Sequence, residues 1–177
     1  TRNGPHGKLD LPRAPGRNGN MPLDLSIPER TATTCRAAMR FCARNRWAPL
    51  AEMPIPCGRR LDIMALTPEG CLYAIEVKSG PRDFLSDNKW QEYRDWCDRL
   101  YFAVDCDFPQ ELIPEEIGLI VSDGFDAVML RDTAHKALAG ARRKSLMHRY
   151  AVLAAGRLAA ACDPVGAQEM RAALLCE

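Results

Sequence analysis

The chain has 177 residues, of which 47% are hydrophobic, and this predicts one folded domain with a substantial core. Its 24 Lys and Arg residues nearly balance its 23 Asp and Glu residues, so net charge gives no argument for a nucleic-acid partner. No apolar run of about 18 residues and no signal core is present, so we expect a cytoplasmic protein without a membrane partner. Eight cysteines without a CxxC pair or zinc-site spacing are expected to be mostly small buried residues in a reducing compartment.

The N-terminal region differs in composition from the rest of the chain. Residues 1–25 are rich in Gly, Pro, Asn and Arg, which predicts a disordered arm or the residues of a leader or tag. We predict a single domain over 26–177. Its first helix is expected to begin after Ser26, because Glu29 suits a first turn and apolar residues follow at helical spacing. Residues 47–55 contain Pro49 and Pro54 and are followed by Pro56, which predicts an edge strand or a bulged one.

A hairpin with two opposed carboxylates follows. Residues 61–67 and 71–78 are typical of strands, and a Pro-Glu-Gly turn separates them. Counting outward from this turn places Asp62 opposite Glu76, where two like charges destabilise a sheet. A divalent cation removes that conflict, because Mg²⁺ is held by carboxylates together with waters and substrate phosphate. Lys78 lies two residues beyond Glu76 and therefore on the same strand face.

The remainder of this hairpin is apolar on both faces, which is typical of a central strand pair covered on two sides. The three polar residues interrupt the pattern at one end only, and a cleft is expected there. One face is predicted to carry Leu61, Ile63, Ala65, Tyr73, Ile75 and Val77, and the carboxylate face Met64, Leu66, Leu72 and Ala74.

The downstream segments complete an α/β pattern. A second helix with an apolar stripe precedes a buried strand, a further hairpin extends the sheet, and two alanine-rich helices end the chain. The predicted bounds are 85–99 for the second helix, 100–104 for the strand, 117–121 and 127–130 for the hairpin, and 142–162 and 166–175 for the C-terminal helices.

Basic residues flank the predicted cleft and also begin the long C-terminal helix. They are candidates for contact with DNA phosphate, and a solvated surface is the alternative interpretation, which we favour for those of the long helix. No GxxxxGK or GxGxxG element is present, so no nucleotide cofactor is expected. The candidate DNA-binding residues are Arg60, Arg82, Lys89, Arg142, Arg143 and Lys144.

The order helix, strand, hairpin, helix, strand, with Asp62 starting the second strand and Glu76-Val77-Lys78 ending the third, resembles the PD-(D/E)xK nuclease superfamily. Leu61 stands where the superfamily motif has proline. The segments GRRLDIMAL, IEVKSGPRDFLSDNKWQEYRDWCDRLYFAV and DFPQELIPEEIGLIVSDGFDAVMLRD are similar to the MmcB-type DNA-repair family of bacteria. The resemblance implies an α-β-β-β-α-β core with a mixed central sheet flanked by helices, extended by a second hairpin and C-terminal helices.

This resemblance also implies an activity, namely metal-dependent endonucleolytic hydrolysis of DNA phosphodiester bonds during repair. Asp62, Glu76 and the Val77 carbonyl would bind Mg²⁺ or Mn²⁺, and Lys78 would orient or deprotonate the attacking water and neutralise charge on the phosphate. The enzyme would be a Mg²⁺-dependent deoxyribonuclease acting on DNA.

Several alternatives stay open at this point. Related nucleases add a further carboxylate, for which Glu29 and Glu52 are both candidates. The protein is instead a DNA-binding repair factor for damaged or branched DNA if the fold is retained without cleavage. A third interpretation makes the polar residues of the hairpin a structural cluster in which Lys78 bridges both carboxylates. Related resolvases are dimers, so a homodimer is also open.

Overall fold

The central feature of the fold is one mixed sheet of six strands. The computed structural model describes residues 26–87 and 89–174, so the predicted arm 1–25 lies outside the described residues. Strands β1 to β3 are antiparallel, β3 to β5 are parallel, and β6 is antiparallel to β5. The strands follow one another across the sheet in chain order as β1 Ala48–Pro54, β2 Arg60–Leu66, β3 Leu72–Lys78, β4 Arg99–Asp105, β5 Gly118–Ser122 and β6 Ala127–Arg131.

Helices cover both faces of this sheet. The helix α1 packs on one face, and side chains of α2, α3 and α4 belong to the apolar core on the other. The predicted α/β class, with a mixed sheet, an N-terminal helix on it and C-terminal helices, is confirmed. No helix of the described residues is long and apolar enough to cross a membrane. The helices are α1 Ile27–Arg44, α2 Pro81–Ser86, α3 Trp90–Tyr93, α4 Gly140–Cys162 and α5 Pro164–Leu174, with a 3₁₀ turn at Gln110–Leu112.

The turn between β2 and β3 has the predicted register. The amide of Thr67 donates to the carbonyl of Cys71 at 2.9 Å, and pairing continues outward to Ile63 opposite Ile75. Gly70 has a φ of 80°, which glycine adopts without steric cost. Local turn chemistry therefore sets which residues of the hairpin face one another.

One apolar residue of the hairpin lies on the opposite face from the prediction. Leu61 packs in the same core as Met53, whereas Ile63 belongs to the core beneath α1. The two-residue alternation shifts because Glu52, with a φ of 49°, is skipped in the pairing of β1 with β2. This irregularity turns the end of the strand pair, and Asp62 lies at the point where the alternation changes.

The predicted continuous helix over 85–99 is wrong. The structure contains two short helices, α2 and α3, with Asp87 between them in an extended conformation of φ −90° and ψ 92°. The Asp87 carboxylate accepts the amide of Lys89 at 2.9 Å, an Asx-type bond that competes with helical pairing. Trp90 and Tyr93 of the predicted apolar stripe are nevertheless buried in the core.

The expectation of buried thiols holds for only part of the cysteines. Cys42 and Cys97 are buried, and burial raises the pKa of each thiol to about 12. Cys57, Cys106 and Cys162 are exposed, so the prediction is wrong for these three, which lie in a turn, a loop and a helix end rather than in the sheet.

Candidate functional site

Asp62 and Glu76 lie side by side at the end of the β2–β3 hairpin. One carboxylate oxygen of Glu76 accepts the backbone amide of Asp62 at 3.2 Å, and Asp62 accepts the amide of Val77 at 2.8 Å. Regular pairing of the two strands ends one residue earlier, at Ile63 and Ile75. Each carboxylate is therefore held by the backbone of the opposite strand, in place of the next bonds of the ladder.

The environment of this pair disfavours two negative charges. Burial, followed by the charge of Asp62, raises the pKa of Glu76 to about 8, and burial also raises the pKa of Asp62. Glu76 is only 4% exposed. Asp62 Oδ1 and Glu76 Oε2 accept no hydrogen bond from the residues that the structure describes. Two hard oxygen atoms and uncompensated negative charge fit a divalent cation.

Lys78 is buried beside the pair but has a different partner. Its ammonium contacts Asp87 Oδ2 at 2.5 Å, with the two side chains 6% and 16% exposed, and it lies 5.9 Å from the centre of the Phe102 ring. Within the described part of the chain, Lys78 forms no ion pair with Asp62 or Glu76. The arrangement expected for a purely structural cluster, with Lys78 bridging both carboxylates, is therefore not observed.

Asp87 is the functional candidate that the sequence analysis missed. Although burial alone would raise its pKa, the hydrogen bonds from Lys78 and from the amide of Lys89 lower the pKa of this carboxyl. The sequence does little to mark Asp87 as functional, because an Asp inside a predicted helix is ordinarily a solvated residue. A helix break at this position was needed to bring the carboxylate to Lys78.

The two candidates for an additional carboxylate occupy different environments. Glu29 Oε2 accepts both the amide and the hydroxyl of Ser26, at 2.9 Å and 2.7 Å, and so serves the N-terminus of α1. Glu52 lies on β1 between Ala51 and Met53. These two residues pair with Ile63 and Leu61, the neighbours of Asp62 on β2. The Glu52 carboxylate contacts Arg60 at 3.3 Å. The pairing of β1 with β2 thus puts Glu52 next to the strand position of Asp62, whereas Glu29 is engaged at the N-terminus of α1.

The backbone at Glu52 is held in its left-handed conformation from outside the sheet. Arg157 of α4 donates to the Glu52 carbonyl at 3.2 Å and also to the carbonyl of Ala51. A left-handed glutamate is uncommon, and these bonds stabilise it. The helix α4 therefore supports the strand end next to the carboxylate pair.

The predicted DNA-binding residues fall into two groups. Arg82 and Lys89 are exposed on the segment that follows β3, directly after the strand end with Glu76 and Lys78. Arg60 is exposed and contacts Glu52. These three residues are therefore exposed on the segments that directly precede Asp62 and follow Lys78 in the chain.

The second group lies in the first turn of α4, at the other end of β3. The Arg143 guanidinium donates to both oxygens of Asp98, at 2.8 Å and 2.6 Å, and to the carbonyl of Gly70 in the hairpin turn at 2.8 Å. Arg142 donates to a backbone carbonyl and stacks on Trp96, 4.7 Å from the ring centre. A strand of this length spans about 20 Å, so the structure does not bring this group to the carboxylates.

A second set of metal-type ligands lies near that turn. Single ligand atoms of Cys71, Asp98 and His135 lie within 4.8 Å of one another. Both Asp98 oxygens already accept hydrogen bonds, from Arg143 and from the amides of Leu72 and Leu138. This cluster is consequently a structural anchor and not a competing cation site.

Comparisons with known proteins agree with the resemblance in the sequence. A family model described as "DNA repair protein MmcB-like" matches residues 19–165. A solved structure, the SPO1766 protein of unknown function from Silicibacter pomeroyi, is 43% identical with a TM-score of 0.73, over 81% of this chain and 97% of that chain. A search of curated proteins gives no match. Since the family model spans most of its length, the chain belongs to the MmcB-like family of DNA repair proteins.

Proposed function

We propose that the protein is a Mg²⁺- or Mn²⁺-dependent deoxyribonuclease of the PD-(D/E)xK type that acts in DNA repair. The observation that carries the proposal is the pair Asp62 and Glu76, held side by side at the open end of a central hairpin. Lys78 follows at the spacing of the superfamily motif. The element order from α1 to β4 agrees with an α-β-β-β-α-β nuclease core, and membership of a DNA repair family supports DNA as the substrate.

Three groups of this chain would hold the cation, namely the carboxylates of Asp62 and Glu76 and the carbonyl of Val77. When bound, the cation supplies a Lewis acid that activates water and stabilises charge on the phosphate. Asp62 and Glu76 enter this role already oriented, because a backbone amide holds one oxygen of each. Little reorganisation is then needed when substrate arrives.

The remaining polar residues act on the DNA. In this proposal the Lys78 ammonium orients the attacking water or neutralises charge on a phosphoryl oxygen. Arg60, Arg82 and Lys89 are exposed at the same end of the sheet and contact the phosphate backbone on either side of the reacting bond, where they fix the register of the substrate.

Purified protein with Mg²⁺, Mn²⁺ or EDTA, given single-stranded, duplex and branched DNA, tests the proposal. Wild type should cleave at least one substrate when metal is present, and Glu76→Gln should reduce the rate at least about 100-fold, as losses of transition-state stabilisation of this kind do. Glu115→Gln is the matched control, because Glu115 is exposed and far from β3 in the chain. Cleavage that survives Glu76→Gln, or no cleavage of any substrate, rejects the nuclease.

A DNA-binding repair factor that cleaves weakly or not at all is the second candidate. The family description names DNA repair without a catalytic activity, and this observation favours the alternative. Binding to damaged or branched DNA should then fall steeply with added salt, because phosphate contacts release counterions. It should also persist in Asp62→Asn, which changes the carboxylate pair and leaves the exposed basic residues intact.

A further inference from the structure

The burial of Lys78 raises the question of what compensates its charge. The residue is 5% exposed, and a buried ammonium is strongly disfavoured unless it is paired and hydrogen-bonded. Asp87 supplies that pairing through Oδ2 at 2.5 Å. The pair lies against the Phe102 ring, so little water screens the interaction.

Asp87 itself is fixed in place by a second bond. Its other oxygen, Oδ1, accepts the amide of Lys89 at 2.9 Å. The carboxylate therefore cannot rotate away from Lys78 without also losing the bond at the start of α3. This rigidity is what a residue needs if it is to orient another side chain.

The break between α2 and α3 is an independent observation that points to the same residue. The sequence predicts one continuous helix over 85–99, yet α2 ends at Ser86. Asp87 has a ψ of 92°, which no helical residue adopts. The interruption places a carboxylate over the end of β3.

The ion pair of Lys78 with Asp87 is consequently separate from the pair of carboxylates. Lys78 and Asp87 balance one another, whereas Asp62 and Glu76 have no cationic side chain within ion-pair distance among the described residues. Without Asp87, the Lys78 ammonium would lose its ion-pair partner and would no longer be held in one position.

We propose that Asp87 is a positioning residue that holds the Lys78 ammonium in one position beside the carboxylate pair. The inference rests on the proposed function for its catalytic consequence, but the holding of Lys78 is a property of the protein alone. The break between α2 and α3 then serves to bring the Asp87 carboxylate to Lys78.

The first measurement needs neither metal nor DNA. Acylation of Lys78 by an amine-reactive ester, followed by mass spectrometry, should be slow in wild type and at least about tenfold faster in Asp87→Asn, because the amide cannot form the ion pair. Asp87→Glu keeps a carboxylate and should restore part of the protection. Glu92→Gln is the matched control, since Glu92 is an exposed α3 carboxylate that contacts Arg59 instead. Thermal unfolding of each variant shows whether the fold is retained.

The second measurement compares cleavage kinetics of the same variants. Asp87→Asn should lower kcat by about 10- to 100-fold at nearly unchanged KM, the size expected when a catalytic group is misplaced, and Asp87→Glu should recover part of it. The proposal is overturned if Asp87→Asn is acylated at the same rate as Glu92→Gln. It is also overturned if Asp87→Asn is acylated faster but cleaves DNA at the rate of wild type. If wild type cleaves no DNA, the proposed function fails, while faster acylation of Asp87→Asn still supports the holding of Lys78.

Discussion

Glu76 accepts the backbone amide of Asp62 at 3.2 Å, while Asp62 accepts the amide that directly follows Glu76 at 2.8 Å. This reciprocal arrangement fixes two carboxylates at the end of two neighbouring strands, although their charges repel. The repulsion costs the free protein stability, and a cation bound as proposed would relieve it. The stability of the protein should therefore depend on both pH and divalent metal.

The stability of the metal-free protein should fall as pH rises from about 4.5 to about 8. Native Glu76 keeps its proton up to about pH 8, above its ordinary value of 4.5, whereas the unfolded chain has already released it, so stability declines with pH across this window. The effect is on the order of a few kcal/mol. Urea unfolding in EDTA at several pH values measures it. Glu76→Gln should flatten the curve in this window, and parallel curves for the two proteins would contradict the prediction.

Added Mg²⁺ or Mn²⁺ should stabilise wild type, and more at pH 8 than at pH 5. A ligand that binds only the native state at 100 times its dissociation constant contributes about 2.7 kcal/mol, and at low pH the cation must displace the Glu76 proton. Thermal unfolding with and without metal tests this. Asp62→Asn should lose the shift, while Glu115→Gln should keep it. An equal shift in Asp62→Asn would place the bound metal elsewhere.

Asp98 and Arg143 should be required for stability. The Asp98 side chain is fully buried and accepts hydrogen bonds from Arg143 and from the backbone amides of Leu72 and Leu138. Breaking such a pair leaves an uncompensated charge, and Asp98→Asn should lower the free energy of unfolding by about 3 kcal/mol. Lys136→Ala removes an exposed ion pair and should cost less than about 1 kcal/mol. Similar losses for both variants, measured by urea unfolding, would contradict this assignment.

The basic residues nearest the carboxylates should govern binding to DNA. Replacing Arg82 and Lys89 with alanine should weaken affinity and reduce the slope of log K against log salt by about 0.9 for each phosphate that the variant no longer neutralises. Arg142 and Lys144 lie at the hairpin-turn end of β3, so the matching double alanine variant should change the slope less. Fluorescence anisotropy with labelled DNA over a range of salt concentrations decides between the two groups, and equal slopes for both variants would reject the distinction.

Much of the site follows from local chemistry that can be read along the chain. The Pro-Glu-Gly turn and the two-residue strand period are enough to place Asp62 opposite Glu76 and Lys78 beside it, and the observed register agrees. The family resemblance is likewise carried by sequence and is confirmed by the family model. Turn geometry and strand alternation involve neighbours in the chain, so they need no knowledge of distant contacts.

Other features depend on contacts between segments that are far apart in sequence. The side to which Leu61 packs follows from an irregularity at Glu52 on another strand, and Arg143 is occupied by Asp98 across 45 positions. The partner of Lys78 depends on a helix break that helical periodicity opposes. Periodicity reports only which face is apolar, whereas a buried charge selects its partner from whatever the folded chain brings within reach. The pairing of Lys78 with Asp87 is therefore a property of the folded protein.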